Sequence, residues 1–325
     1  MKAWRVHAWG EPETMQFDEV DEPSPGPGDV KIRNRAVALN FFDVLQVQGR
    51  YQTKPPFPFI PGAEVAGVVE SVGDGVADLK PGDEVFAMPR GSAFAEACVV
   101  KSNGVFRKPA GMSFEQAAAI PIVYHTSYFA LLHRGQLRSG ETLLVHAGAS
   151  GVGMSAIQIG KACGAKVLAT AGSAEKREFA IRQGADAAFD YGDPAWVDQV
   201  KAATTGRGAD VIYDPVGGDI FDPSTKCIAP EGRLLVIGFV SGRIPSVAAN
   251  RVLLKNISIV GVLWGGYIQQ HPKYPAKVDI ALAEWYREGK ICPAIAAVFP
   301  FDRAPEGLRF LADRKAMGKA VLSLA

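Results

Sequence analysis

Charge excess, long apolar runs and paired cysteines are all missing from this chain of 325 residues, and each absence removes a class of function. Lys and Arg number 35 against 34 Asp and Glu, a formal net charge of +1. Such a balance offers no field to gather nucleic acid or an anionic membrane, and neither is expected as a partner. No uninterrupted apolar stretch approaches a bilayer span, and the N-terminus MKAWRVHAWG has neither a long apolar core nor a cleavage site. The four cysteines, Cys98, Cys163, Cys227 and Cys292, are scattered without a close pair. That argues against a disulfide framework or a Cys-rich zinc knuckle and suits buried thiols in a reducing compartment. A globular, cytoplasmic protein with room for two domains is the expectation, and a hydrophobic fraction of 48% is enough for two cores.

What is present is organised around Glu141 to Lys176. Thr142 to His146 is a β-branched and leucine run, Ala147 to Gly153 is a run of small residues, and Met154 to Cys163 has apolar residues at helical spacing. That pattern predicts strand, tight turn and helix, and Lys166 to Ala171 supplies a second strand. The whole is one βαβ unit of the length that binds a dinucleotide. Gly148, Gly151 and Gly153 let backbone N–H groups and the helix N-terminus face a pyrophosphate. A strict Gly-x-Gly-x-x-Gly would carry glycine where Ser150 stands. At the end of the second strand, where an NAD site places Asp or Glu for the ribose hydroxyls, the chain reads Thr170, Ala171, Gly172, Ser173. No carboxylate stands there to repel a 2′-phosphate. Ser173 can cap the next helix and donate to a phosphate, with Lys176 and Arg177 one turn on, so NADPH is favoured over NADH.

The first third is rich in strand signals: Lys2 to Ala8, Val30 to Leu39, Ala63 to Val72, Glu84 to Met88 and Ala93 to Val100. Turns such as Asp21 to Asp29 and Lys80-Pro81-Gly82-Asp83 separate them, which predicts a compact, partly barrel-like sheet. Ser113 followed by Gln116 is a capping-box pattern opening an Ala-rich helical run to Leu132, interrupted at Pro121. From Glu141 to about Val262 apolar strand runs alternate with amphipathic helices, the signature of an α/β doubly wound parallel sheet. Asp193-Pro194 is read as a helix start and Gly184 as a helix end. A helix near Tyr274 to Glu288, a strand near Ile295 to Phe299, a helix near Ala304 to Asp313 and a strand Ala320 to Leu324 close the chain.

Taken together, PGAEVAGVVESVG at Pro61 to Gly73, PGDEVFA at Pro81 to Ala87, HAGASGVG at His146 to Gly153, DPVGG at Asp214 to Gly218 and the closing MGKAVL resemble the medium-chain dehydrogenase/reductase superfamily. Within it the chain is most similar to the zinc-independent NADPH:quinone oxidoreductase, or zeta-crystallin-like, branch. Zinc alcohol dehydrogenases place a Cys near the position of Phe42 or Asp43, a His in the segment Pro61-Gly62-Ala63-Glu64, and a lobe with four close Cys. None of these ligands exists here, and Glu64 alone cannot hold zinc, so no metal is expected. The resemblance implies a Rossmann nucleotide domain over residues 123–264 and a β-rich GroES-like catalytic domain over 1–122 and 265–325. It places the pyrophosphate on Ser150, Gly151, Val152 and Gly153, with the Ser150 side chain able to narrow the space beside the nicotinamide. It places the 2′-phosphate on Gly172, Ser173, Lys176 and Tyr191, and further cofactor contacts on Thr126, Gly238, Phe239, Leu263 and Lys319. It also implies a homodimer paired through the edge strand near Asn256 to Gly261.

Hydride transfer to a quinone or activated alkene needs an acceptor stacked near the nicotinamide with its oxygen held by donors, and little acid–base help. The segments Asn40-Phe41-Phe42-Asp43 and Gly49-Arg50-Tyr51 resemble the family's active-site entrance: Asn40 can bond the nicotinamide amide or an oxyanion, and Tyr51 can donate its hydroxyl to a carbonyl. Asp43 is expected to be structural, bonding nearby backbone N–H groups. Phe41, Phe42 and Trp264 are candidates for an apolar slot or for core packing. His125, in an apolar helix, reads as a structural histidine. The expected activity is NADPH-dependent reduction of a small-molecule quinone or conjugated carbonyl. Reduction of an alkenal or enoyl thioester on the same scaffold is an alternative. A nucleotide-binding protein with little catalysis, crystallin-like or RNA-binding, is the alternative of a different class.

Overall fold

Short strands broken by Pro and Gly turns build the first part of the chain, as their alternation predicts. In the computed structural model, which describes residues 1–89 and 91–324, these are β1 (Lys2–Arg5), β2 (Gln16–Glu19), β3 (Asp29–Ala38), β4 (Val65–Val72), β5 (Glu84–Ala87), β6 (Ala97–Lys101) and β7 (Val105–Arg107). Helices α1 (Phe41–Val47) and α2 (Phe114–Ala118) interleave with them. The middle of the chain alternates helix and strand: α3 (Val123–Tyr128), β8 (Thr142–Val145), α4 (Gly151–Ala162), β9 (Lys166–Thr170), α5 (Ala174–Arg182), β10 (Ala187–Phe189) and α6 (Trp196–Ala203). It continues through β11 (Ala209–Asp214), α7 (Gly218–Cys227), β12 (Ile228–Val236), α8 (Ala249–Lys255), β13 (Ser258–Gly261) and α9 (Trp264–Gln270). The end supplies α10 (Tyr274–Arg287), β14 (Ile295–Pro300), α11 (Ala304–Ala312) and β15 (Lys319–Ser323).

The chain divides into two units. One comprises Met1–Ile122, Pro272–Ile280 and Pro293–Ala325, the other Val123–His271 and Ala281–Cys292. In the first, a sheet runs in the order β14-β15-β3-β4-β5-β7, with β6 also on β3. β15 and β14 are parallel to each other, and β15 joins β3 antiparallel, so the C-terminal strand completes a sheet begun near the N-terminus. Its core gathers Ile32, Leu39, Val44, Val65, Val85 and Phe94, all nearly or wholly buried.

In the second unit six parallel strands run β10-β9-β8-β11-β12-β13. The sequence winds outward from β8 to β10 and then returns to β11, so β8 and β11 are neighbours at the point where the winding reverses. In a doubly wound sheet that reversal opens the crevice where ligands sit beyond the carboxyl ends of the strands. Leu144, Leu168, Ile212, Leu234 and Phe221 fill the core, and α4 buries every residue from Gly153 to Gly160. A helix apolar all round must be covered on more than one side. The side away from the strands is covered by α3, which Ser127 and Ser155 join by a 2.8 Å hydrogen bond.

Several local expectations meet a different backbone. β2, β7 and α1 were not anticipated, and β6 begins at Ala97 rather than Ala93. Trp4 N donates to Phe94 O at 2.9 Å, so part of that segment pairs outside the named strand. Asp193 accepts from Ala195 N at 2.9 Å, closing a turn before α6 rather than opening the helix itself. Ser113 does cap α2, with Gln116 completing the reciprocal pair. Gly184, at φ +109°, ends α5. Leu144→Ala, at a fully buried site on the central strand β8, is expected to cost about 3 kcal/mol, measured as a fall in the chemical denaturation midpoint.

Candidate active site

The turn between β8 and α4 is held by the chain's own bonds. Gly148 N donates to Thr170 O at 2.9 Å, anchoring the turn on β9. Ser150 is the N-cap of α4: its Oγ accepts from Gly153 N at 3.1 Å and donates to Ala147 O at 2.8 Å. The hydroxyl is therefore folded back onto the turn. A Cβ on Gly153 would lie 2.2 Å from Ala147 O, so glycine there answers to the close approach of helix and turn. With Gly153 and Met154 engaged by Ser150, the first two helical N–H groups, those of Gly151 and Val152, have no acceptor within the helix and can receive an anion. That is a fit for a pyrophosphate.

Beneath the turn lies a buried histidine. His146 is fully buried between Thr170 Oγ1 and Ser224 Oγ, each at 2.8 Å, and burial pushes its pKa down. Ser127 Oγ lies 2.9 Å from Tyr213 Oη and 2.8 Å from Ser155 Oγ, pinning α3 and with it the half-buried Thr126. Burial likewise holds His125 at about 3, so it is uncharged at any physiological pH. Its ring meets the edge of Trp264 at 5.7 Å, and Trp264 also packs on Phe129 at 5.5 Å. Trp264 is only 5% exposed, so it belongs to the packing of its own domain, the second of its two sequence readings.

Beyond β9, Gly172 meets the Tyr191 phenol, Ser173 follows it, and Lys176 comes in the first turn of α5. Ser173 caps α5 through Lys176 N at 3.3 Å, and a Cβ on Gly172 would meet Tyr191 Oη at 2.8 Å, so the phenol lies directly over the glycine. Arg177 is engaged elsewhere: its Nη1 donates to Asp190 Oδ2 at 2.6 Å. Gly238 and Phe239 follow β12, and the Phe239 ring closes on Gly217, at whose Cβ position it would stand 2.8 Å away. Leu263, the residue before α9, is 62% exposed.

The catalytic domain holds a separate cluster. Asn40 precedes α1 and Asp43 closes its first turn, with Oδ2 accepting from Asn40 N at 2.8 Å, the structural part expected of it. Gly62, at φ +91°, lets the chain pass Phe94, whose ring would lie 2.3 Å from a Cβ there, and two residues later Glu64 is fully buried. Glu64 Oε1 accepts from Asn40 Nδ2 at 2.8 Å and from Lys319 Nζ at 2.5 Å, and Oε2 accepts from Ile122 N at 2.8 Å. Lys319 also donates to Asn40 Oδ1 at 2.8 Å and Leu39 O at 2.9 Å. All three ammonium protons are thus spent inside this domain, an engagement that sequence reasoning missed. Tyr51 stacks obliquely on Phe42 at 5.5 Å. Burial first, and then the neighbouring Asp43, raise the pKa of its hydroxyl.

Asp43 Oδ1 is buried without a hydrogen-bond partner, and burial lifts this carboxyl to about 7. A raised carboxyl binds more protons folded than unfolded, so its contribution to stability is full below about pH 4 and is lost as pH rises through about 7. Asp43→Asn should remove that loss. Denaturation midpoints at pH 5 and pH 8 should show a smaller decline for the variant than for the wild type.

Residues 26–123 match the alcohol dehydrogenase GroES-like domain, and residues 151–281 match the zinc-binding dehydrogenase family. The quinone oxidoreductase-like protein 2 of Bos taurus is 38% identical over 312 residues, covering 95% of this chain and 89% of the relative. The structure of Escherichia coli quinone oxidoreductase complexed with NADPH superposes with a TM-score of 0.92 at 29% identity over the full length of both chains. CurK enoyl reductase does so with a TM-score of 0.88 at 26% identity over 100% of this chain and 99% of that one. The chain belongs to the zinc-independent quinone oxidoreductase branch of the medium-chain dehydrogenase/reductase superfamily.

Proposed function

We propose that the protein is an NADPH-dependent reductase of quinones, with conjugated carbonyls as the second acceptor class, working without a metal. The observation that carries the cofactor half is the grouping of Gly172, Ser173, Lys176 and Tyr191 where β9 ends without a carboxylate. A hydroxyl, an ammonium and a phenol can each donate to a 2′-phosphate, and charge-assisted bonds of that kind are the strong ones. Gly151 and Val152 N–H groups take the pyrophosphate, and Thr126, Gly238, Phe239 and Leu263 border the rest of the nucleotide. The relative crystallised with NADPH supports the same cofactor.

Bound NADPH supplies a hydride, and its transfer leaves negative charge on the acceptor oxygen. Asn40 and Tyr51 are the donors we assign to that oxygen. Both pKa causes act to keep the proton on Tyr51 Oη, so the phenol stays a donor at neutral pH. Glu64 is no vacant metal ligand, since Lys319, Asn40 and Ile122 engage both its oxygens. Among the described residues no group of three or more His, Cys, Asp or Glu could hold a metal ion. The likeness to CurK enoyl reductase supports double-bond reduction as the second reading, with the same hydride delivered to a β-carbon and the same donors on the carbonyl.

We also propose a homodimer through β13. It is the last strand of its sheet, and on α8 just before it Leu253 and Leu254 are 75% and 78% exposed. An open edge flanked by apolar side chains calls for cover, and a second copy would continue the sheet. Among the described residues no helix is long and apolar enough to cross a membrane, and we assign the protein to the cytoplasm.

Turnover of NADPH and NADH against a panel of quinones and enones tests the activity. NADPH should be preferred, and Ser173→Asp should lower kcat/KM for NADPH about 10- to 100-fold while sparing NADH, the loss of one or two charge-assisted contacts. No turnover with any member of the panel, or a wild-type preference for NADH, refutes the assignment. Sedimentation should give a dimer mass that falls to a monomer in a Leu253→Glu, Leu254→Glu variant.

A further inference from the structure

An asparagine offered as a donor to a developing oxyanion carries a hazard of its own. Its carboxamide is nearly symmetric in shape, and the terminal torsion has two roughly equivalent settings. One presents an N–H to the acceptor; the other presents Oδ1, which would repel the charge that forms. In this structure Asn40 Oδ1 receives Lys319 Nζ at 2.8 Å and Asn40 Nδ2 donates to Glu64 Oε1 at 2.8 Å, while Glu64 and Lys319 pair with each other at 2.5 Å. Turning the amide over would put its NH2 against an ammonium and its oxygen against a carboxylate. With both charges buried, Lys319 at 3% and Glu64 at 0% exposure, either clash would be costly.

We propose that Glu64 and Lys319 are positioning residues for Asn40: their closed ring fixes the carboxamide and leaves one Nδ2 proton for the acceptor oxygen. This rests on the reading of Asn40 as a donor. The ammonium on Oδ1 and the carboxylate on the other N–H act on the amide in opposite senses, so what the ring contributes is orientation of the remaining N–H. The other calls on the ring are satisfied within the domain: Ile122 N holds Glu64 Oε2, Leu39 O takes the third ammonium proton, and Asn40 N is bonded to Asp43. The donor is thereby set before the acceptor arrives, which is what makes such a group effective in a transition state. Lys319 acts through Asn40, its three ammonium protons being held by Asn40, Glu64 and Leu39.

The test uses the full-length enzyme with NADPH and a quinone. A Glu64→Gln, Lys319→Met double variant replaces a buried ion pair by neutral groups of similar size, an exchange that buried pairs often tolerate. Its affinity for NADPH should stay within about threefold and its acceptor KM should change little, while kcat falls about 10- to 100-fold, the scale of one mispositioned oxyanion donor. Asn40→Ala should fall by a similar factor, and adding it to the double variant should cost nothing further, because the residues act as a unit. Wild-type kcat in Asn40→Ala refutes the donor reading itself. A large loss in Asn40→Ala with wild-type kcat in the double variant, or fully multiplicative losses in the triple variant, refutes the positioning role alone. If the double variant does not fold, Glu64→Asp carries the test, since it keeps the charge but draws it away from Asn40 Nδ2. Lowered kcat at unchanged NADPH affinity then supports the proposal, and unchanged kcat overturns it.

Discussion

The catalytic domain depends on one buried ion pair, Lys319 with Glu64, and the sheet is laid out so that it can form. β15 runs antiparallel to β3 with Val321 opposite Ala38 and Ser323 opposite Ala36. Continued by two residues, that register sets Lys319 across from Asn40. β4 meets β3 with Val65 opposite Val37, and Ala38 N reaches Glu64 O at 3.3 Å. Three strands thereby deliver residues 40, 64 and 319 to one end of one sheet. A slip of a single residue in either pairing would turn a charge to the opposite face and leave its partner buried alone. Breaking such a pair costs about 3–5 kcal/mol, far more than forming it contributes. The arrangement thus enforces register as much as it adds stability, and it requires the C-terminal strand to return to a sheet begun near the N-terminus.

The nucleotide domain is lined here by hydroxyls and a buried histidine, with Asp214 a buried carboxyl bonded to Val216 and Gly217 N–H groups. His146 is kept uncharged by burial and is held between two hydroxyls, and Tyr213, Ser127 and Ser155 form a hydroxyl chain behind α3. Ser150 closes the turn before α4 through its own hydroxyl. Neither the hydroxyls nor the histidine adds a charge next to a dinucleotide that already carries several. On the proposed reading the start of α4, with Ser173, Lys176 and Tyr191, supplies the attraction, where ligand phosphates exchange water for N–H and O–H donors.

How much of this could be read from the sequence follows the range of each interaction. The doubly wound sheet was legible because its signal is local: apolar runs of strand length, small-residue turns and helical spacing recur within about thirty residues. Ser173 was legible as a cap because it stands just after one strand and directly before one helix; Tyr191, two residues past β10, comes over Gly172 through the pairing of β10 with β9. Helix α1 was not, since a seven-residue helix opening on two aromatics has no periodicity to speak of. Arg177 looked available until Asp190, thirteen residues on, was seen to hold it. The hydroxyl of Ser150 points where the turn's own geometry sends it, which composition does not encode. Lys319 was the hardest: its partners lie 255 and 279 residues away, and nothing near it in sequence says that a lysine in a closing strand will be buried.

The charge balance around Asn40 links these pieces. Glu64 and Lys319 cancel, so the remaining ionisable group near Asn40 with an unbonded oxygen is Asp43. Were it fully ionised, a carboxylate close to Tyr51 would oppose any negative charge forming on an acceptor held by that phenol. Burial offsets this by moving Asp43 to about 7, so that much of the population carries a proton there near neutrality. The same carboxyl raises the pKa of the Tyr51 hydroxyl when it is ionised, which keeps the phenol a donor at the pH where Asp43 is least helpful. An apolar surround therefore lowers the charge this carboxyl carries beside Asn40 and Tyr51, the donors of the proposed reading, as the ammonium offsets that of Glu64.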